Sequence, residues 1–172
     1  AAGSGALYYC SEPLDNPDYE QFAEALYKKF GMWPQITTAV STRNVTRTHK
    51  LLADLFTRPD TIYRFSVLGL DKAQTILEDF TPQELLRTEL LPQYSEAPSF
   101  VGFANAGRAR ENDEDTEKKI TASICCISGF VVTLANNTVR MITPVNADDR
   151  FPTGEVIYEK AEYADAADLK QK

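Results

Sequence analysis

The residues of this 172-residue chain that could do chemistry are few, and the densest group is Ser41-Thr42-Arg43-Asn44-Val45-Thr46-Arg47-Thr48-His49-Lys50. In an extended conformation Arg43, Val45 and Arg47 share one face, which lines up two guanidiniums with threonine hydroxyls between them. A planar guanidinium offers paired donors, so such a row suits phosphate oxygens or a partner's carboxylates. Arg43, Arg47, His49 and Lys50 are therefore the candidate anion-binding or nucleic-acid-binding residues. Tyr8, Tyr9, Tyr63 and Phe65 are aromatics on which single-stranded bases could stack. Over 25–53 there is no acid, against Lys28, Lys29, Arg43, Arg47 and Lys50.

The other candidates carry less. A serine or cysteine nucleophile needs a base, and His49 is the chain's one histidine, placed among threonines and cations where it reads as a surface residue at a helix start. Zinc needs several Cys or His ligands at workable spacing, and there is no Cys-x-x-Cys. No glycine-rich phosphate loop, nucleophile elbow or dinucleotide fingerprint is present. The adjacent Cys125 and Cys126 read as small core filler in an apolar strand. Asp113-Glu114-Asp115 and Asp148-Asp149 read as solvated acids, with no burial to raise a pKa. The expectation is accordingly no catalytic residue, no metal and no cofactor.

The elements that must position these residues follow from the patterning. A hydrophobic share of 43% and a charged share of 25% are those of a folded globule. A chain of this length can bury roughly 70% of its unfolded surface in one domain without a metal or disulfide staple. The longest β-rich stretch is 119–145, where Ile120, Ala122, Ile124, Cys126, Phe130, Val132 and Leu134 occupy even positions. Alternation puts that apolar set on a buried face, with a bulge or bend near Gly129 and a turn at Ala135-Asn136-Asn137-Thr138. Asn16-Pro17-Asp18 starts a helix that Gly31 ends, and its apolar face is Tyr19, Phe22, Ala23, Leu26 and Phe30. A short helix is expected from about 48 to 56, a strand at 61–67 and a helix capped by Asp71. Thr81-Pro82-Gln83-Glu84 reads as a capping box opening a further helix that buries Leu85, Leu86 and Leu90 until Pro92. Strands are expected at 99–104 and 155–161. Together these give a single α+β domain over 1–172, with helices packed on one face of an antiparallel sheet, a mobile charged loop at 107–118 and a polar C-terminal tail.

Charge and cysteine usage bound the partners. The net charge of −7 disfavours nonspecific nucleic-acid affinity for the whole surface. The charge is uneven: Asp148, Asp149, Glu155, Glu159, Glu162, Asp165 and Asp168 stand against Arg150 and Lys160 alone. Cys10, Cys125 and Cys126 are an odd set with two adjacent members, which fits reduced thiols and an intracellular compartment. That compartment is the cytoplasm, or an organelle matrix such as the mitochondrion if the start at Ala1 follows removal of a targeting peptide. No apolar run reaches the roughly 18 to 20 residues that span a bilayer. The leading expectation is a non-catalytic subunit or assembly protein of a larger complex, with a protein partner or a second copy, docking through the basic segment and the acidic C-terminal region. The alternatives are a single-stranded nucleic-acid or phosphate binder using 41–50, and a small-ligand protein or enzyme with an apolar pocket near Trp33, Tyr63 and Cys126.

Overall fold

The computed structural model describes residues 5–8, 11–58, 61–94, 128–145 and 148–172. The contacts divide the chain into two compact units, Ala1–Phe100 and Val101–Lys172, and each is described by itself. The strand expected at 99–104, the charged loop at 107–118, the first part of the hairpin and all three cysteines lie outside the described residues.

In the first unit a 3-10 turn, Pro13–Asp15, precedes α1, Tyr19–Phe30. Helix α1 ends on Gly31, whose φ of 70° lets its N–H close on the Tyr27 carbonyl. Strand β1, Ile36–Thr38, leads into α2, Val45–Leu55. Strand β2, Tyr63–Val67, is followed by α3, Leu70–Asp79, α4, Pro82–Leu85, and β3, Thr88–Pro92. The sheet order is β1-β2-β3 and every pairing is parallel, with Ile36 beside Tyr63 and Phe65 beside Leu90. This differs from the antiparallel sheet expected of the sequence. Each strand is separated from the next by helix, and such a crossover returns the chain in the same direction.

The helix expected to run from Thr81 to Leu90 also gives way. The capping box is present, with the Thr81 and Glu84 side chains each bonded to the other's backbone N–H, yet α4 ends at Leu85. Beyond it, 88–92 pairs with β2 along the whole of that strand. Pro92 falls at the last position of this outer strand, where its missing N–H is tolerated.

Alternation along β2 sorts the core. Tyr63, Phe65 and Val67 are buried with Ile36, with Tyr19 and Ala23 of α1, with Leu51, Leu52 and Leu55 of α2, with Ile76 of α3 and with Phe80 just after it. Each of those leucines contributes on the order of 1.5–3 kcal/mol by leaving water. The alternate positions Arg64 and Ser66 are half-buried, and Arg64 donates to Gln35 Oε1 at 2.5 Å and to Glu89 Oε2 at 2.5 Å. Near the start of the chain the buried Glu12 carboxylate accepts from Leu14 N, Thr38 Oγ1 and Ala39 N, which ties the 3-10 turn to the end of β1.

The second unit holds an antiparallel meander of β4, Gly129–Thr133, β5, Thr138–Pro144, and β6, Glu155–Glu162, in the order β4-β5-β6. The β4–β5 hairpin turns through 134–137, where Asn137 takes a φ of 51°, a conformation that asparagine tolerates better than most residues. From Gly129 on, β4 pairs with β5 without a register shift. A shift lies between β5 and β6, where Met141 faces Glu159 and Ile142 faces Ile157, which leaves Tyr158 outside the ladder. The even positions of β4 are not inward: Phe130 is 73% exposed, while Val131 and Thr133 are half-buried and Ile142 beside Gly129 is buried. After β6, Tyr163 is buried and donates its N–H to the Asn137 carbonyl. The short α5, Ala166–Leu169, is capped by Asp165, which accepts from Ala167 N and Asp168 N.

Candidate functional site

The basic segment is not extended. Asn44 caps α2 by accepting from Arg47 N at 3.0 Å, so the helix starts at Val45 and the run of threonines falls in its first turns. Arg43, in the turn just before, donates to Asp15 Oδ1 at 2.7 Å and to the Leu14 carbonyl at 3.1 Å. Arg47 forks onto Glu20 through Nε to Oε1 at 2.7 Å and Nη2 to Oε2 at 2.6 Å. Its remaining donors reach the Leu14 carbonyl at 3.0 Å and the Asn16 carbonyl at 2.8 Å. The hydrogen bonds from Arg47 hold the Glu20 carboxyl below the usual range, and the same pairing raises Arg47.

The structure therefore brings Arg43 and Arg47 together, but around Leu14 and onto acids 27 and 28 residues upstream. It places His49 elsewhere. The His49 Nδ1 lies 2.5 Å from Glu84 Oε1, and the ring meets Phe80 edge-on. Glu84 Oε2 also accepts from Thr81 N and Oγ1, and those bonds, led by the backbone one, lower its pKa, with His49 adding to them. Lys50 is exposed and makes no ion pair among the described residues.

Trp33 and Tyr63 sit in a packed group. Trp33 stacks on Tyr27 with centroids 4.3 Å apart, and the Arg58 guanidinium lies 4.1 Å from the Trp33 ring centre. Arg58 Nη1 donates to the Tyr63 hydroxyl at 2.6 Å. Burial raises the Tyr63 hydroxyl pKa. Tyr19 is 1% exposed and its hydroxyl is buried without a hydrogen bond among the described residues; burial holds it well above the usual tyrosine range. Asp148 turns its Oδ1 back onto Arg150 N and Phe151 N, a loop-building role. Among the described residues no group of three or more Cys, His, Asp or Glu could hold a metal ion. Nor is any described helix long and apolar enough to cross a membrane.

The feature that sequence reasoning missed is on the second unit. Residues directly opposite in a ladder share a face. Phe130, Met141 and Glu159 therefore stand together, as do Val132, Val139 and Ala161. Phe130, Met141 and the bulged Tyr158 line an open depression of about 340 Å³. Val132 and the turn residue Leu134 are exposed as well. The period-two pattern marks these residues as one set, but a period says nothing about which side faces solvent. The partner face carries its own signal: the Arg140 to Glu155 ion pair and the buried Thr138 and Ile142 lie there.

No family model matches the chain, and no solved structure matches it. The chain is similar to "Uncharacterized protein y4wI" of Sinorhizobium fredii (strain NBRC 101917 / NGR234), 32% identical over 161 residues that make up 90% of this chain. It spans 31% of that curated relative's length.

Proposed function

We propose that the chain is a non-catalytic interaction module, a subunit or assembly protein of a larger complex that docks through the exposed β4–β6 face. The observation that supports this reading is the cluster of Phe130, Val132, Leu134, Met141 and Tyr158 open to solvent. Contiguous apolar surface rimmed by polar residues is costly to leave in water and marks contact sites. The acidic stretch around β6 adjoins that face and sets the charge at its rim. The basic segment contributes less to docking than its composition suggests, because Arg43 and Arg47 serve as internal ties. In this reading the helices of the first unit lie on one face of its sheet, since strands in sequential order with right-handed crossovers put α2 and α3 on the same side. The module works inside the cell, where its three cysteines stay reduced. The test is the mass of the particle isolated from the chain's own cells. It exceeds the mass of a single chain for the native sequence and falls on Phe130→Glu.

The nucleic-acid or phosphate alternative keeps one specific support, the exposed Lys50 within α2. It needs Arg47 to exchange Glu20 for a phosphate, so Glu20→Gln would strengthen retention on immobilised single-stranded nucleic acid in a salt-dependent way. No change on that substitution removes this alternative. An enclosed ligand cavity near Trp33 and Tyr63 is the weaker reading, because that position is filled by the Tyr27, Trp33 and Arg58 stack.

A further inference from the structure

The occupant of the β4–β6 face can be narrowed by its charge, its area and the contrast between the two outer strands. Its central ladder holds Phe130, Val132, Val139, Met141 and Ala161, with Glu159 as the single charge. The other ionic side chains of the same strands, Arg140, Glu155, Lys160 and Glu162, belong to the opposite face by their register. A partner steered by the chain's acidity would meet acids within the patch; this patch is nearly neutral and matches a copy of itself. Homodimer interfaces are the more apolar class of contact.

Area agrees. Phe130 is 73% and Tyr158 is 60% exposed, and an aromatic side chain of this kind covers about 150–250 Å² in full. With Leu134, Met141 and Val132 the patch is on the order of 500 Å². Paired about a twofold axis it removes on the order of 1,000 Å² from water, the lower bound for a biological interface and the size of a weak, concentration-dependent dimer. Among the described strands, the two outermost differ as well. Strand β6 carries Glu155, Glu159, Lys160 and Glu162 and a bulge, the features that discourage a neighbouring strand, while β4, Gly129–Thr133, has neither charge nor proline nor bulge.

We infer that the partner at this face is a second copy of the chain, seated sheet against sheet about a twofold axis, with Phe130, Met141 and Tyr158 at the centre and β6 at the rim. This rests on the proposed docking role of the face, and names its occupant. Stacked sheets lie about 10 Å apart, close enough for the side chains of both copies to interdigitate.

The experiment is light scattering on the purified full chain over a concentration series, with two substitutions of the same type. The native chain is expected at about 38 kDa, twice its 19.2 kDa mass. Phe130→Glu is expected at 19.2 kDa with an unchanged circular dichroism spectrum. Leu77→Glu, at a 64% exposed leucine of α3 in the first unit, is expected to remain dimeric. A native chain that stays monomeric at high micromolar concentration overturns the inference, as does a dimer indifferent to Phe130→Glu. If the purified chain is monomeric while the particle from its own cells is larger and shrinks on Phe130→Glu, the face docks a different protein. The docking role then stands and the second copy does not.

Discussion

Tyr19 and Arg47 show how individual polar groups are treated inside the first unit. The Tyr19 hydroxyl is removed from water and has no hydrogen bond among the described residues, so it contributes a desolvation cost with no return. Tyr19→Phe should therefore stabilise the fold by up to about 1 kcal/mol in urea denaturation. A loss of that size would mean that the hydroxyl is bonded after all. Arg47 is the opposite case: a guanidinium 20% exposed whose donors meet one carboxylate and two carbonyls. Arg47→Ala should cost about 2 kcal/mol, and Arg47→Lys should recover little of it because an ammonium cannot fork. The loss should depend on pH in one direction. Glu20 titrates lower folded than unfolded because of Arg47, so its contribution is complete above the ordinary glutamate value of about 4.3 and disappears as pH falls through the lower folded value. The gap between native chain and Arg47→Ala should narrow on acidification from neutral pH toward about pH 3. A gap that is constant across that range would assign the effect to the carbonyl bonds alone.

Elements form where local signals and distant partners agree, and shift where they do not. Capping chemistry is local, so the Thr81 to Glu84 box, the Gly31 stop and the hairpin turn near Asn137 are all legible from neighbouring residues. The stretch after α4 is not. Thr88-Glu89-Leu90-Leu91 continues a helical pattern by composition, and only β2, some 25 residues earlier, supplies the ladder that makes it a strand. The pairing of the basic segment is hidden for the same reason: its two arginines bond Asp15 and Glu20, whose proximity is a property of the fold. On β4 the alternation is legible and its direction is not, because burial of one face or the other depends on what packs there. Arg87 makes the strand-forming corner testable. Its Nη1 donates to the Leu55 carbonyl at 2.7 Å and its Nη2 to the Arg58 and Thr61 carbonyls at 2.9 and 3.1 Å. It thus closes the exposed end of α2 and fixes the entry to β3. Arg87→Ala should cost about 2–3 kcal/mol, read as a lower urea midpoint with an unchanged slope. A change below about 0.5 kcal/mol would show that water satisfies those carbonyls equally well.

At the level of the molecule, chemistry is sparse and surface is abundant. Two of the cationic groups singled out by composition, Arg43 and Arg47, are bound internally, while apolar side chains that folding ordinarily covers stand open on the β4–β6 face. Because Phe130 makes most of its side-chain surface available to solvent, Phe130→Glu should leave the stability of the dissociated chain, compared at low concentration, within about 0.5 kcal/mol of native and act on association alone. The most direct test of the docking role is the mass of the particle that the chain occupies in its own cells. It should be measured by light scattering for the native sequence and for a Phe130→Glu, Tyr158→Glu double substitution. The native particle should exceed the mass of a single chain and resist nuclease, and the substituted chain should return to that single-chain mass. A native particle of single-chain mass, or a large particle of equal mass with and without the substitutions, would contradict it.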